Sequence, residues 1–299
     1  MNFKRVSTYI GRVIVALCLI YIFITLKDLD FSKLIEFYDI SWIFKALFLS
    51  TLFCFIYLFN ASAWADMIEI VSNKDPRSDA KRVYLKTVIY KYLPGNIFHF
   101  LGRHSLSKDH NISHKEILMA NSFEIIMLLF SVLFWLMIGS LFFEFKIDIF
   151  SYITLDQNKL LMIFLSIFVT LGIFIYYKGY QKSLFNLKTI NIFFKNSLFL
   201  LGSSLIFISI FTLFFNYHYS VVSFFNMIFI ALIAWLLGFV IPGAPGGIGI
   251  RESIYILMVP TLLGVSVEIV TIVALIYRVI TIVGESMTLV LAKIFEDKY

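Results

Sequence analysis

The chain has 299 residues, of which 60% are hydrophobic and only 15% charged, with a formal net charge of +6. Its mean hydropathy is +0.90. A soluble protein of this length could not cover so much apolar surface, so the composition predicts an all-α, polytopic membrane protein forming a single integral domain over residues 1–299.

Runs of roughly 17 to 25 apolar residues with few charges are candidate spans. In chain order they fall at about 10–26, 44–65, 117–141, 160–177, 198–217, 222–241 and 266–292. A stretch of about 17 residues, 248–264, is short for a span and reads as a half-helix or a tilted one. Seven or eight crossing helices are expected. The runs are too long and too uniformly apolar for alternating barrel strands. The segment 10–26 has a basic start but no small-x-small site after it, so it reads as an uncleaved helix. The link NYHYS at 216–220 suggests a helical hairpin.

Position matters more than total charge. Lys4, Arg5 and Arg12 cluster at the start, six basic residues lie over 74–91, and Lys178, Lys182, Lys188 and Lys195 lie over 178–196. The positive-inside rule places these segments, and the amino terminus, in the cytoplasm. Anionic headgroups on that face account for the basic residues without nucleic acid. Cys18 and Cys54 both sit in apolar runs, where neither a disulfide nor a zinc site is expected. No Walker loop, dinucleotide fingerprint or hydrolytic triad is visible, and no cofactor or metal is expected.

One passage breaks the pattern. PGAPGGIGIRE, residues 242–252, follows an apolar run with two prolines and four glycines, then sets Arg251 beside Glu252. Proline removes a donor and glycine permits unusual turns. Irregular backbone at membrane depth is tolerated only inside protein or along a wet cavity. A new helix starting there offers free N–H groups and a positive dipole end to an anion. Arginine adds a forked charge that fits phosphate oxygens. An interfacial turn with a snorkelling Arg251 is the plainer alternative.

A second break, PGNIFHFLGR, runs from Pro94 to Arg103. In both breaks Pro-Gly is followed by seven residues and then arginine. Either two loops coincide, or the chain carries an internal repeat, parallel or inverted, whose broken segments approach a shared site near the membrane centre. Three further charges lie in apolar surroundings: Glu124, and Arg278 with Glu285 two turns later. Such residues face a partner or a cavity. A structural ion pair, Glu124 with Arg278 for example, competes with a functional role. His99 and His104 flank Arg103 and could exchange protons or simply hydrogen-bond.

The run W235-LLGFVIPGAPGGIGIR-E252 resembles the signature of the lysylphosphatidylglycerol synthase transmembrane region, a flippase-like membrane family. The YLPGN…GR pattern at 92–103, Glu124 and Arg278 also fall where that family's pattern has them. The resemblance implies a bacterial or archaeal cell-envelope protein of the cytoplasmic membrane whose module moves lipids between leaflets. It does not imply lysyl transfer, because no soluble aminoacyl-transferase domain is expected in this chain. The site it implies comprises Pro94, Gly95, Asn96, Arg103, Glu124, Pro242, Gly243, Pro245, Gly246, Gly247, Gly249, Arg251, Glu252 and Arg278. Its ligand would be an anionic phospholipid or a polyprenyl-phosphate-linked lipid. Homo-oligomers and envelope-biosynthesis enzymes stay open as partners. Two rivals remain: a scaffold for envelope-polymer enzymes, and a small glycosyltransferase using the acidic pair Asp28 and Asp30.

Overall fold

The structure is a computed structural model. It describes residues 39–72, 77–92, 98–106, 112–142, 147–150, 153–155, 162–167, 187–241 and 244–294, with positions 20 and 169. Eight helices are described: α1 (Ser41–Ser72), α2 (Arg77–Thr87), α3 (Phe98–Leu106), α4 (His114–Phe142), α5 (Leu187–Phe215), α6 (Val221–Val240), α7 (Ile250–Leu263) and α8 (Val267–Ile294). Residues 162–167 are also helical. Of two 3-10 turns, Val88–Tyr92 precedes the first broken segment and Pro245–Gly247 lies within the second.

Six described helical segments are long and apolar enough to cross a membrane: Ser41–Ser72, His114–Ser140, Leu187–Phe215, Val221–Val240, Pro245–Leu263 and Val267–Lys293. The chain is therefore a multi-pass helical membrane protein. The expected span at 10–26 lies outside the described residues, as does most of that at 160–177. The connection after α4 holds an antiparallel hairpin, β1 (Ile147–Phe150) with β2 (Ile153–Leu155). One expectation is corrected. The segment at 187–196, part of the 178–196 stretch read as a basic loop, forms the first turns of α5. Its lysines have partners there: Lys188 Nζ lies 2.9 Å from Glu69 Oε1, and Lys195 pairs with Asp66.

Local sequence explains the helix ends. Ser113 and Glu116 form a capping box before α4: Ser113 N–H donates to Glu116 Oε2 at 2.7 Å, and Glu116 N–H to Ser113 Oγ at 3.3 Å. The Ser220 hydroxyl caps α6 by accepting from Ser223 N–H. Asp39, exposed just ahead of α1, has its carboxyl held below the usual range, chiefly by a hydrogen bond from the Ser41 side chain. Helix α7 carries Pro260, which donates no bond to the preceding turn, and ends four residues later where Gly264, in the left-handed conformation, donates its N–H to the Pro260 carbonyl at 2.9 Å.

The chain divides into two compact units. The first comprises Met1–Cys54, Val88–His99 and Ser203–Met287; the second comprises Phe55–Thr87, Phe100–Gly202 and Thr288–Tyr299. In the first, Phe207 stacks on Tyr255 with ring centroids 3.9 Å apart, and Tyr277 meets both edge-on. Gly284 lets α8 approach α1 closely: a Cβ there would lie 2.6 Å from the Ser50 carbonyl oxygen. In the second, Tyr57 contacts Tyr84 and Phe199, and Trp64 contacts Tyr84, which gathers α1, α2 and α5 around aromatic rings.

Candidate functional site

The break at 241–249 belongs to the first unit. Helix α6 ends at Val240, Ala244 is extended, and Pro245–Gly247 makes one 3-10 turn before α7. Three glycines hold left-handed backbone: Gly246 at φ 59°, Gly247 at φ 76° and Gly249 at φ 87°. Side-chain residues resist those angles, and two of the three glycines also lack room. A Cβ on Gly246 would lie 2.9 Å from the Tyr92 ring; one on Gly247 would lie 2.7 Å from Arg251 Nε. On α6, a Cβ at Gly238 would meet Arg251 Cγ at 2.7 Å. The Arg251 side chain thus lies in a slot whose two sides are Gly238 and Gly247.

Within that slot Arg251 Nε is buried and has no hydrogen-bond partner. Its guanidinium carbon lies 5.9 Å from the Trp235 ring. No carboxylate among the described residues pairs with it. The neighbouring cations differ. Arg278, on α8, donates from Nη1 to the Gly246 carbonyl at 3.1 Å, and its Nε lies 3.4 Å from Glu252 Oε1. Lys91 Nζ lies 2.6 Å from the nearly fully buried Glu285. Tyr92 is sandwiched electrostatically: the Arg278 guanidinium is 5.7 Å from its ring centroid and the Lys91 ammonium 5.4 Å. Three cations, Lys91, Arg251 and Arg278, share two carboxylates, and Arg251 is the one without a carboxylate partner among the described residues.

At the start of α7 one backbone donor, that of the N-cap Gly249, is taken up within the chain. Glu252 Oε2 accepts from Gly249 N–H at 2.8 Å. This is the carboxylate half of a capping box, since glycine has no side chain to supply the other half. The protein thus places an anion of its own, Glu252, at the helix start. Arg251 and Glu252, adjacent in sequence, therefore have opposite surroundings: the first is unpaired in its slot, the second is held by backbone and by Arg278.

The second unit holds the other arginine. Arg103, 2% exposed, donates from Nη1 to Asn121 Oδ1 at 2.8 Å and from Nη2 to Glu124 Oε1 at 3.3 Å, and its Nη1 also pairs with Glu124 Oε2. Tyr84 donates its hydroxyl to Glu124 at 2.8 Å, and Trp64 Nε1 donates to Asn121 at 3.0 Å. Three rings surround the guanidinium carbon: Tyr84 at 4.2 Å, Trp64 at 5.0 Å and Phe100 at 5.3 Å. A forked pair with every carboxylate oxygen engaged leaves little for a ligand to add. Glu124 thus pairs with Arg103 and Arg278 with Glu252; the Glu124–Arg278 pair considered from the sequence does not form.

Of the remaining expected residues, Pro94, Gly95, Asn96, Pro242 and Gly243 lie outside the described residues, as do Asp28 and Asp30. Pro245, Gly246, Gly247, Gly249, Arg251, Glu252 and Arg278 come together in the first unit, and Arg103 and Glu124 in the second. Arg278 and Glu285 do share a face of α8, since both reach the turn that carries Lys91 and Tyr92. Sequence reasoning passed over Lys91, Tyr92, Trp235 and Gly238 as site residues. Lys91 carried a signal, a lone ammonium in an apolar stretch just before Pro-Gly. Trp235 and Gly238 carried one too: they are three apart on the helix entering the break, hence on one face.

No family model matches the chain, and no curated protein matches it.

Proposed function

We propose that the protein is a flippase-like lipid translocator of a bacterial or archaeal cytoplasmic membrane, with its amino terminus inside. It binds the phosphate of a lipid headgroup at the Gly-rich break of the first unit, as its resemblance to the lysylphosphatidylglycerol synthase transmembrane region also suggests. One observation carries the reading: Arg251 is held in a glycine slot with a buried Nε that lacks a partner, beside two cations that each have a carboxylate. A buried N–H donor without an acceptor is costly, and a phosphate oxygen would supply one. Arg278, whose Nη2 is also buried without a hydrogen-bond partner, is the second contact. The acyl or prenyl chains stay in the surrounding lipid. Arg103 and Glu124 serve as the fixed charge pair of the other broken segment. No lysyl transfer is assigned.

The test is the identity of co-purified lipid. Protein purified in mild detergent and Arg251→Ala are compared by mass spectrometry of bound lipids. One enriched phosphate-bearing lipid in the wild type, lost in Arg251→Ala, is the expected result. Bulk membrane lipid, unchanged by the substitution, would reject the headgroup site and turn attention to a scaffold.

A further inference from the structure

The headgroup reading leaves Glu252 in an awkward place. Its carboxylate is buried and sits on the Gly249 N–H and against Arg278. A phosphate that engaged Arg251 and Arg278 would arrive beside it. Two negative charges in a low-dielectric pocket repel, and a like charge beside a buried carboxylate favours its neutral form.

We propose that Glu252 is the built-in counter-ion of the site and takes up one proton when a phosphate-bearing headgroup binds. The inference rests on the headgroup reading. In the structure Glu252 accepts from the Gly249 N–H and lies against Arg278. In the loaded state the phosphate oxygen replaces Glu252 Oε1 at Arg278, and a proton from the aqueous phase neutralises the displaced carboxylate. The neutral acid still accepts from Gly249 N–H through one oxygen, so the start of α7 survives the exchange. Release of the headgroup returns the proton. Binding and protonation are then reciprocally linked, which gives a translocator a means of responding to a proton gradient.

The charges around Glu252 support a single-proton exchange. Helix α8 presents Arg278 to Glu252, and beyond Arg278 lie Tyr92, Lys91 and, paired with Lys91, Glu285. Helix α7 itself adds Arg251 and Tyr255, while residues 203–215 of α5 and all of α6 contain no titratable side chain. Glu285 is already held by Lys91 at 2.6 Å. Glu252 is the carboxylate of this cluster that shares its cation, Arg278, with the proposed ligand.

The experiment measures affinity for short-chain phosphatidylglycerol, a phosphodiester of constant charge, between about pH 5.5 and 8.5 in wild type, Glu252→Gln and Arg251→Ala. The expected wild-type affinity rises as pH falls, by up to about tenfold per pH unit, and Arg251→Ala abolishes it. Glu252→Gln, which keeps an acceptor for Gly249 N–H, should bind at the acid-side affinity at every pH. A dye in weak buffer should also register proton uptake by wild type on ligand addition, a readout that needs no variant. Arg251-dependent binding with one affinity at all pH values and no proton uptake would overturn the proposal, as would weaker binding by Glu252→Gln. Absence of Arg251-dependent binding in both wild type and Glu252→Gln would instead reject the headgroup reading beneath it.

Discussion

Two arginines follow Pro-Gly at the same interval, and their surroundings are opposite. Arg103 is enclosed by three rings, an amide and a carboxylate that matches its fork. Arg251 has one ring at 5.9 Å, two glycines and no carboxylate among the described residues. The difference lies in the next charge. Glu124 sits one helix away from Arg103 and turns toward it. Glu252 is adjacent to Arg251, points elsewhere along α7, and serves Gly249 and Arg278 instead. A shared motif therefore builds one closed ion pair and one open cation.

The largest effect expected from this contrast is on stability. Arg103→Ala should destabilise the protein by about 3–5 kcal/mol, because it leaves Glu124 buried and unpaired. Glu124→Gln alone should also destabilise, and the double variant should recover part of the loss, since the two residues share one interaction. Unfolding in detergent, followed by tryptophan fluorescence, reads all three. Strict additivity in that cycle would mean that Arg103 is not closed by Glu124, and the contrast with Arg251 would dissolve.

Next in size is the glycine slot. Gly247→Ala forces a side chain into left-handed backbone, at about 1–2 kcal/mol, and puts a methyl group 2.7 Å from Arg251 Nε. Both a modest loss of stability and a loss of lipid co-purification are expected. Stability lost with lipid retained would mean that the position of Arg251 does not matter to the ligand.

A smaller effect lies beside Arg103. His104 Nδ1 and His114 Nδ1 are 3.2 Å apart, linking α3 to the start of α4. Burial first, then the neighbouring His114, holds His104 below the ordinary histidine value. The unfolded chain therefore binds a proton more readily than the folded one. Stability from this contact is complete above about pH 6.5 and declines as pH falls from there through the lowered folded value. His104→Asn should flatten that acid-side decline in a pH series of melting temperatures; an unchanged slope would assign the decline to other groups.

The membrane class and most spans were legible because long apolar runs admit few alternatives. The break at 241–249 was legible because Pro and Gly leave helices few ways to continue. What stayed hidden was pairing. Glu124 and Arg278 were recognised as buried charges, yet their partners, Arg103 and Glu252, follow from side-chain direction, which hydropathy does not encode. The extension of α5 back to Leu187 was hidden for a related reason. Lys188 and Lys195 look like loop residues until Glu69 and Asp66, more than a hundred positions earlier, are placed beside them.

The smallest expected effect is the most discriminating. Arg251→Ala should change stability by less than about 1 kcal/mol. The substitution strands no carboxylate among the described residues, since Glu252 keeps Gly249 and Arg278. It loses the packing of the arginine stem against Gly238, Gly247 and Trp235, but it also removes a buried Nε that has no partner. These two terms oppose each other, whereas Arg103, whose Nε also lacks a hydrogen-bond partner, leaves Glu124 stranded when it is removed. Melting temperatures of Arg103→Ala and Arg251→Ala measured in one detergent should thus separate widely. Equal losses would mean that Arg251 is held as firmly as Arg103 and is a structural cation rather than a phosphate contact.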